Sequence, residues 1–292
     1  MLGCLFPPMS NSTSFSVGFA QILMDALRAA LADRAGLSTS SPLPFATDVL
    51  LSGVALTGLA FVLYLVVGLG LTAWALMRPG HGRLLKRPWT VGDRAFLNQC
   101  RRELLCACGA LPLLSAVVAP LDAALRRGSG AMSFAPLGLT GGASAAYHGL
   151  VVLPLFVVGV DAVVYWLHRG MHQRTLYRLL GHNIHHRERF VTPFSSFAFH
   201  PIDGGLQATP GYLFFFLVPC HPQVAAALLA LSNLWVFMLH DVAIWRMAPI
   251  FATSQDHTVH HEAFDFNYGQ FTTLWDRLFG TYRPYGADVN CG

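Results

Sequence analysis

The sequence predicts an all-α integral membrane protein with three to four transmembrane helices, including a helical hairpin, and a cytoplasmic cap of histidine-rich helices. The 292 residues are 54% hydrophobic and 12% charged, whereas a soluble globular protein carries about 25% charged residues. Apolar runs long enough to span the ~30 Å hydrocarbon core of a bilayer occur along the chain. Eleven of the 13 histidines lie between residues 168 and 261, beside these runs.

The first two apolar runs predict transmembrane helices. Residues 50–77 contain neither charge nor proline and exceed the ~20 residues that a spanning helix needs. Residues 104–121 are also apolar but contain Pro112 and Pro120, and proline inside a helix removes a backbone hydrogen bond. Residues 1–48 precede them as an N-terminal segment whose structure the sequence does not determine.

The next two apolar runs border the histidines. Residues 149–167 predict a third transmembrane helix that ends directly before His168. Residues 206–239 are interrupted by Pro219 and Pro222. This interruption leaves one half too short for a comfortable span and predicts a hairpin that dips into the membrane or just crosses it. The polar composition after His240 predicts a cap outside the bilayer.

Loop charges predict which face of the membrane carries the histidines. The loop between the first two runs contains seven basic residues, namely Arg78, Arg83, Lys86, Arg87, Arg94, Arg101 and Arg102. The loop after the second run contains only Arg126 and Arg127. Basic loops stay in the cytoplasm, so we expect the third run to bring His168 to the cytoplasmic side. The N-terminus then lies on the opposite face, where Asn11 is a formal glycosylation acceptor.

Eight histidines form three boxes with metal-ligand spacing. The boxes are His168 and His172, then His182, His185 and His186, then His257, His260 and His261. Helical residues three or four positions apart project from one face, so each box presents two or three imidazoles in one direction. Imidazole binds zinc, copper, iron and nickel, and eight histidines exceed what one tetrahedral zinc uses. The boxes therefore predict a dinuclear metal site.

The isolated histidines are interpreted separately. We expect His200 and His240 to be further metal ligands, because two metals with open coordination positions would use nearly all of these histidines. We expect His81, His148 and His221 to be structural, since they stand alone in loops or at the ends of apolar runs. A lone histidine is more often a hydrogen-bonded core residue than a ligand.

Composition also bears on other classes of function. A net charge of +4, without a basic stripe interleaved with aromatic residues, argues against nucleic acid as a partner. The six cysteines lack CxxC spacing, so we expect small buried residues rather than a disulfide framework. A membrane metal carrier that loads zinc or copper reversibly stays open as an alternative to an enzyme.

Motifs between residues 161 and 282 resemble a known family. The matching segments are residues 165–172, 192–194, 198–204 and 267–277. On these residues the chain resembles the sterol desaturase branch of the fatty acid hydroxylase superfamily, most closely the C-5 sterol desaturases, also called lathosterol oxidases. The first box has three residues between its histidines, as in sterol-modifying members. The resemblance implies a sterol desaturase domain at 146–285, preceded by anchor helices and a basic loop at 49–145 and followed by a tail at 286–292.

The resemblance implies an O2-dependent oxidase with two non-haem irons that introduces the C-5 double bond into a Δ7 sterol. Electrons would come from NAD(P)H through a reductase and a separate cytochrome b5 or similar donor, because the chain has no His-Pro-Gly-Gly haem box. Overexpressed protein can load zinc instead, because such sites bind zinc more tightly than ferrous iron. The location implied is the endoplasmic reticulum membrane, or the inner membrane of a bacterium.

Three departures from the family pattern leave the substrate open. Phe197 and Asp256 stand where histidine is frequent, and Val242-Ala243 replaces a Gly-acidic pair. A sibling di-iron oxidase, either a C-4 sterol methyl oxidase or a fatty-acyl hydroxylase, is therefore an alternative.

Three further sets of residues have candidate roles around the site. Acceptors for the histidine N–H groups are Asp161, Asp203, Asp241, Glu262 and Asp265. Candidates for docking an acidic electron donor are Arg169, Arg174, Arg178, Arg187 and Arg189. Candidates for lining the sterol entry are Tyr212, Phe214, Phe215, Phe216 and Trp235.

Overall fold

Long apolar helices lie side by side in this protein, and short polar helices gather at one end of them. A computed structural model describes residues 44–77, 85–244 and 247–286, and this part of the chain contains helices but no strand. Asn11, Arg78, His81 and Arg83 lie outside the described residues.

The predicted all-α membrane architecture is confirmed. The helices are α1 (Phe45–Met77), α2 (Arg94–Arg126), α3 (Gly141–Met171), α4 (Arg174–Leu179), α5 (His182–His185), α6 (Pro201–Leu217), α7 (Pro222–Leu239), α8 (Ser254–Ala263) and α9 (Leu274–Leu278). Short 3-10 turns lie at Pro136–Gly138 and Pro193–Phe197. In the described part of the chain, α1, α2, α3 and α7 are long and apolar enough to cross a membrane. α6, with 17 residues, pairs with α7 as the predicted hairpin.

The helices extend beyond the apolar runs that predict them. α2 has 33 residues and contains Pro112 and Pro120 without ending at either. α3 continues to Met171, so His168 lies inside the helix rather than directly after it.

Two π-helical turns shape α3. They cover His148–Val152 and Phe156–Val160, on either side of Pro154, which lacks a backbone N–H. In a regular α-helix one turn takes 3.6 residues, so side chains four positions apart point in slightly different directions. A π turn contains more residues, and it therefore reduces this difference in direction. Phe156, Val160, Val164 and His168 consequently all line one cavity.

The two ends of the helices differ in their contacts. At the histidine end, defined by Met77, Arg94, Met171 and Leu239, the backbone N–H of Leu85 donates to Val242 O over 2.9 Å. The basic loop and the histidine boxes therefore lie at the same end. At the opposite end, defined by Phe45, Arg126, Gly141 and Pro222, Arg127 Nε donates to Asp48 over 2.6 Å.

His148 and His221 belong to that opposite end. The backbone N–H of His221 donates to His148 Nε2 over 3.0 Å, and His148 Nδ1 lies 2.7 Å from the Ser144 carbonyl oxygen. His221 also caps α7, because its Nδ1 accepts from the Gln223 N–H. Both rings thus make hydrogen bonds within the scaffold, far from the boxes.

A buried glutamate holds the segment that follows the second box. Glu103 of α2 is 1% exposed and accepts hydrogen bonds from Ser195 Oγ at 2.7 Å, Gln99 Nε2 at 2.9 Å and Thr192 Oγ1. Tyr64 of α1 donates to Phe194 O over 2.9 Å. Because a buried carboxyl group is costly unless it is hydrogen-bonded, these contacts fix the segment against α1 and α2.

Asp161 anchors the loop before α9. Its carboxylate, fully buried in α3, accepts from the N–H groups of Gln270, Phe271 and Thr272 at 2.8, 2.7 and 3.0 Å and from Thr272 Oγ1 at 2.6 Å. The expectation that Asp161 hydrogen-bonds a histidine is therefore wrong. Its four bonds hold one wall of the cavity to α3.

Replacing Asp161 with alanine is expected to lower the thermal unfolding midpoint by roughly 6–12 °C, because several buried N–H groups lose their acceptor at about 1–3 kcal/mol each. The midpoint is measured on detergent-solubilised protein. Asp265→Ala, an exposed position in the same cap, is the control and should shift the midpoint by no more than about 2 °C. Equal midpoints for the two variants would contradict the anchoring role.

Candidate metal centre

The histidine boxes and His240 converge into two groups. The first group contains His168, His172, His182, His186 and His260, and the second contains His185, His240, His257 and His261. Within each group the candidate ligand atoms all lie within 4.8 Å of one another. All nine rings are buried or half-buried.

The second and third boxes each contribute to both groups. In the second box, His182 and His186 are four residues apart and join the first group, while His185 joins the second. In the third box the order is reversed, since His257 and His261 join the second group and His260 the first. Residues four apart share a helix face and the residue between them points elsewhere, so each of these short boxes contributes imidazoles to both groups.

Gly181 allows the second box to approach α6. Its φ is +78°, a left-handed conformation that side chains rarely adopt. A Cβ at this position would lie 2.4 Å from His200 Cβ. Only glycine fits here, because both the backbone angle and the close approach exclude a side chain.

Backbone carbonyl groups set the tautomer of three rings. His168 Nδ1 lies 3.0 Å from Tyr268 O, His240 Nδ1 lies 2.8 Å from Val236 O, and His260 Nδ1 lies 2.7 Å from Phe266 O. A carbonyl oxygen only accepts, so each Nδ1 carries the proton and donates it. In a neutral ring Nε2 then keeps its lone pair.

Asp203 orients a fourth ring. His182 Nδ1 lies 2.9 Å from Asp203 Oδ2, and both side chains are fully buried. Asp203 is one of the five acidic residues expected to accept from histidines, and the expectation is met at this position. Such a carboxylate fixes the ring and increases its basicity as a ligand.

The Nε2 atoms face one another at short distances. His182 Nε2 lies 3.0 Å from His172 Nε2, and His257 Nε2 lies 2.9 Å from His240 Nε2. His182 and His240 have their proton on Nδ1, so lone pairs point into each group. A neutral partner ring can donate an Nε2 proton across such a contact, and a metal bound between the rings would instead take the lone pairs of both, so this arrangement fits a metal site.

Burial keeps the rings neutral. Desolvation, helped by the neighbouring imidazoles, holds the pKa values of five rings well below the ordinary range, namely His185, His186, His257, His260 and His261. Burial also lowers the pKa of His240 to about 4. A histidine must be neutral to bind a metal, so these groups are ready to ligate at neutral pH.

The donor set fits transition metals. His168 Nε2 is buried, has no hydrogen-bond partner and belongs to the first group. Nitrogen donors suit iron, copper, nickel and zinc, whereas calcium and magnesium prefer oxygen. An orphaned buried nitrogen within a set of imidazoles is therefore explained by a metal of this class.

His200 lies outside both groups. Its Nδ1 accepts a hydrogen bond from the Ile202 N–H over 3.3 Å, so that it caps the start of α6. The sequence predicts a ligand here because two metals with open coordination positions would use nearly all of the histidines, but the N-cap geometry directs Nδ1 to the backbone. His240, the other singleton, belongs to the second group.

The departures from the family pattern have local structural roles. Asp256 forms a capping box with Thr253, in which its carboxylate accepts from the Thr253 N–H over 2.9 Å. This contact starts α8 and so positions the third box. Phe197 is 8% exposed and packs edge-on against Tyr64, which continues the hydrophobic cluster beneath the second box.

An apolar cavity ends at the histidines. It lies between α3, α6, α7 and the loop before α9, and its volume is about 140 Å³. His185, His240 and His257 of the second group and His168 of the first line it. A bound molecule would therefore meet mainly the second group.

The aromatic residues expected at a substrate entry have mixed roles. Tyr212 lines the cavity. Phe215 is fully buried and stacks on Phe156, and Trp235 donates its indole N–H to Gln270 O over 2.8 Å. Most of these side chains pack the walls rather than face a ligand.

The region that contains the two histidine groups is also the region that matches known proteins. Residues 153–281 match the fatty acid hydroxylase family model. The Delta(7)-sterol 5(6)-desaturase erg3B of Aspergillus fumigatus is 39% identical over 186 residues, which cover 64% of this chain and 54% of that protein. Human lathosterol oxidase is 38% identical over 194 residues, which cover 64% of this chain and 62% of that protein. No solved structure gives a significant match.

The chain thus spans little more than half the length of the curated relatives it matches. The matched region contains all eight box histidines, His240 and the Asp203 carboxylate. The part of this chain that contains the two histidine groups, residues 153–281, is thus similar to the fatty acid hydroxylase family.

Proposed function

We propose that this chain is a membrane sterol desaturase that introduces the C-5 double bond into a Δ7 sterol. The observation that carries the proposal is the juxtaposition of two all-histidine groups with an apolar cavity that ends on them. The names of the relatives, Delta(7)-sterol 5(6)-desaturase and lathosterol oxidase, support the choice of reaction and substrate.

Two non-haem irons are the metals we propose, held by the nine histidines of the two groups. Removing two hydrogens from an unactivated ring requires a redox-active metal, which excludes zinc as the working ion. When bound, the irons would supply the oxidising power by activating O2. We assign His200 to capping α6 rather than to a metal, because its Nδ1 already accepts from Ile202.

The protein side chains orient and enclose the reacting groups. Tyr268 O and Val236 O hold the rings of His168 and His240 in one tautomer, so that Nε2 stays available to the metal. The cavity walls are largely apolar and exclude water from the oxidant. They also position a flat apolar substrate against the second group.

We propose that electrons arrive from NAD(P)H through a reductase and a cytochrome b5-like protein that docks at the histidine end. Arg174, Arg178, Arg187 and Arg189 are exposed there. Such a surface steers an acidic donor. This end would face the cytoplasm, with the protein in the endoplasmic reticulum membrane or in a bacterial inner membrane.

Purified active protein is expected to contain close to two metals per chain, because the nine histidines form two separate groups. Elemental analysis of the detergent-solubilised chain gives the stoichiometry. Zinc-filled protein should be inactive and should regain activity after exchange to ferrous iron. An active preparation with one metal or fewer would contradict the two-metal proposal.

Replacing any histidine of the two groups with alanine is expected to lower turnover at least about 100-fold, because losing one ligand displaces a metal. The assay is complementation of a host that lacks its own C-5 sterol desaturase, with the Δ5,7-sterol detected by its conjugated-diene absorbance. His148→Ala and His200→Asn are the controls and should retain most activity, since asparagine still caps a helix. An iron-loaded, reduced wild-type protein that forms only hydroxylated lipid would favour a sibling oxidase instead.

The histidine end is expected to face the cytoplasm. Arg189→Cys, exposed beside the second box, should react with a membrane-impermeant thiol reagent in sealed microsomes. Ser129→Cys, exposed at the opposite end, should react only after the membrane is opened, and the unsubstituted chain gives the background from native cysteines. The reverse labelling pattern would overturn the orientation.

A further inference from the structure

We propose that Gln207, Ser232 and Asn233 form a subsite that binds the hydroxyl group of a sterol alcohol. The inference rests on the proposed function and adds the part of the substrate that the chain recognises through hydrogen bonds. All three side chains line the cavity. We call these three residues the amide subsite.

Polar side chains at these positions are unusual for their surroundings. α7 is apolar enough to cross a membrane, yet Ser232 and Asn233 lie in its middle and face the cavity. Polar groups in a membrane interior are costly, so they mark functional positions by default. The rest of the cavity below the histidines is mostly aliphatic and aromatic.

Helix register places the two amides opposite each other. A Cβ built on Gly211 would lie 3.2 Å from Leu229 Cδ2, so these two positions face each other across the α6–α7 hairpin. The helices run in opposite directions. One turn closer to the histidines is four residues before Gly211 in α6 and four residues after Leu229 in α7. Gln207 and Asn233 therefore lie at the same level of the hairpin.

Existing hydrogen bonds fix how the amides are oriented. Gln207 Nε2 donates to Asp203 Oδ1 over 2.8 Å, and Asn233 Nδ2 donates to Leu229 O over 2.7 Å. A carboxylate and a carbonyl group only accept, so each amide nitrogen must point toward its partner. Each side chain keeps its oxygen and one N–H for a ligand.

The remaining hydrogen-bonding capacity matches an alcohol. Ser232 Oγ donates its proton to Leu228 O over 2.7 Å, which leaves its oxygen as an acceptor. Together with the two amide oxygens, the subsite offers several acceptors and only two N–H groups. A hydroxyl group donates to such an oxygen and accepts from an N–H, whereas an ether, ester or ketone has no proton to donate.

The position of the amide subsite suits a sterol. Asn233 precedes His240 by seven residues, or about 10 Å along α7. In a sterol, the hydroxyl-bearing C3 and the reactive C5 belong to the same ring. A hydroxyl group bound by Gln207 and Asn233 would therefore place C5 between the subsite and His240.

Binding assays test this proposal without turnover. Metal-loaded protein in lipid nanodiscs is titrated with radiolabelled 7-cholesten-3β-ol and with its 3-methyl ether, in the absence of reductant. We expect the wild-type chain to bind the alcohol about five- to tenfold more tightly than the ether. Asn233→Leu should weaken alcohol binding by a similar factor and abolish the preference, and Ser232→Ala should reduce it. Asn233 is the better choice for substitution, because Gln207 also contacts the acceptor of His182.

Gln223→Leu is the matched control, since Gln223 is exposed at the start of the same helix and does not line the cavity. It should keep the wild-type preference. Equal binding of alcohol and ether by a wild-type chain that still desaturates sterols would overturn the amide subsite and leave the proposed function intact. An unchanged preference in folded Asn233→Leu and Ser232→Ala would also overturn it. Failure to bind or desaturate any sterol would overturn the proposed function and the subsite together.

Discussion

The convergence of uncharged imidazole rings is the constraint on which the rest of the structure depends. In each group the candidate ligand atoms lie within 4.8 Å of one another, and burial keeps the rings uncharged. The scaffold must hold so many rings in this arrangement whether or not a cation lies between them. A hydrogen bond at the far nitrogen, such as that from His260 to Phe266 O, supplies part of this restraint.

Buried acids act mainly on the scaffold and orient the histidines through it. Asp161 holds the N–H groups of residues 270–272, and Asp276 accepts from the Tyr268 and Gly269 N–H groups at 2.8 Å each. The loop between these anchors carries the carbonyl group of Tyr268, which orients His168. Two carboxylates thus fix a ligand that neither of them touches. Asp203, in contrast, brings its carboxylate directly to a ring of the first group, that of His182.

The sequence predicts the helices, the hairpin and the gathering of the boxes because apolar length and helical spacing are local properties. The division of the nine histidines between two groups is not local. His185 and His260 each belong to a different group from the other histidines of their own box. This division arises because the second and third boxes face each other in one orientation, and that orientation depends on packing across many residues. The same limit explains His200 and Asp161. Each stands in a motif typical of ligands or their partners, yet N-cap geometry and loop anchoring take up their hydrogen bonds.

The two halves of the protein depend differently on metal. The contacts of α1 with α2 and with the segment after the second box use Tyr64, Phe96 and Leu111, none of which is a ligand, so the spanning helices pack without metal. The cap, in contrast, gains stability when cations separate its facing nitrogens, because metal binding to a site formed by folding adds to the free energy of folding. The cavity has α6 and α7 as walls and His185, His240 and His257 as its roof. The proposed metals would therefore fix the shape of the cavity as well as its chemistry, and the spanning helices keep the remaining walls in place independently.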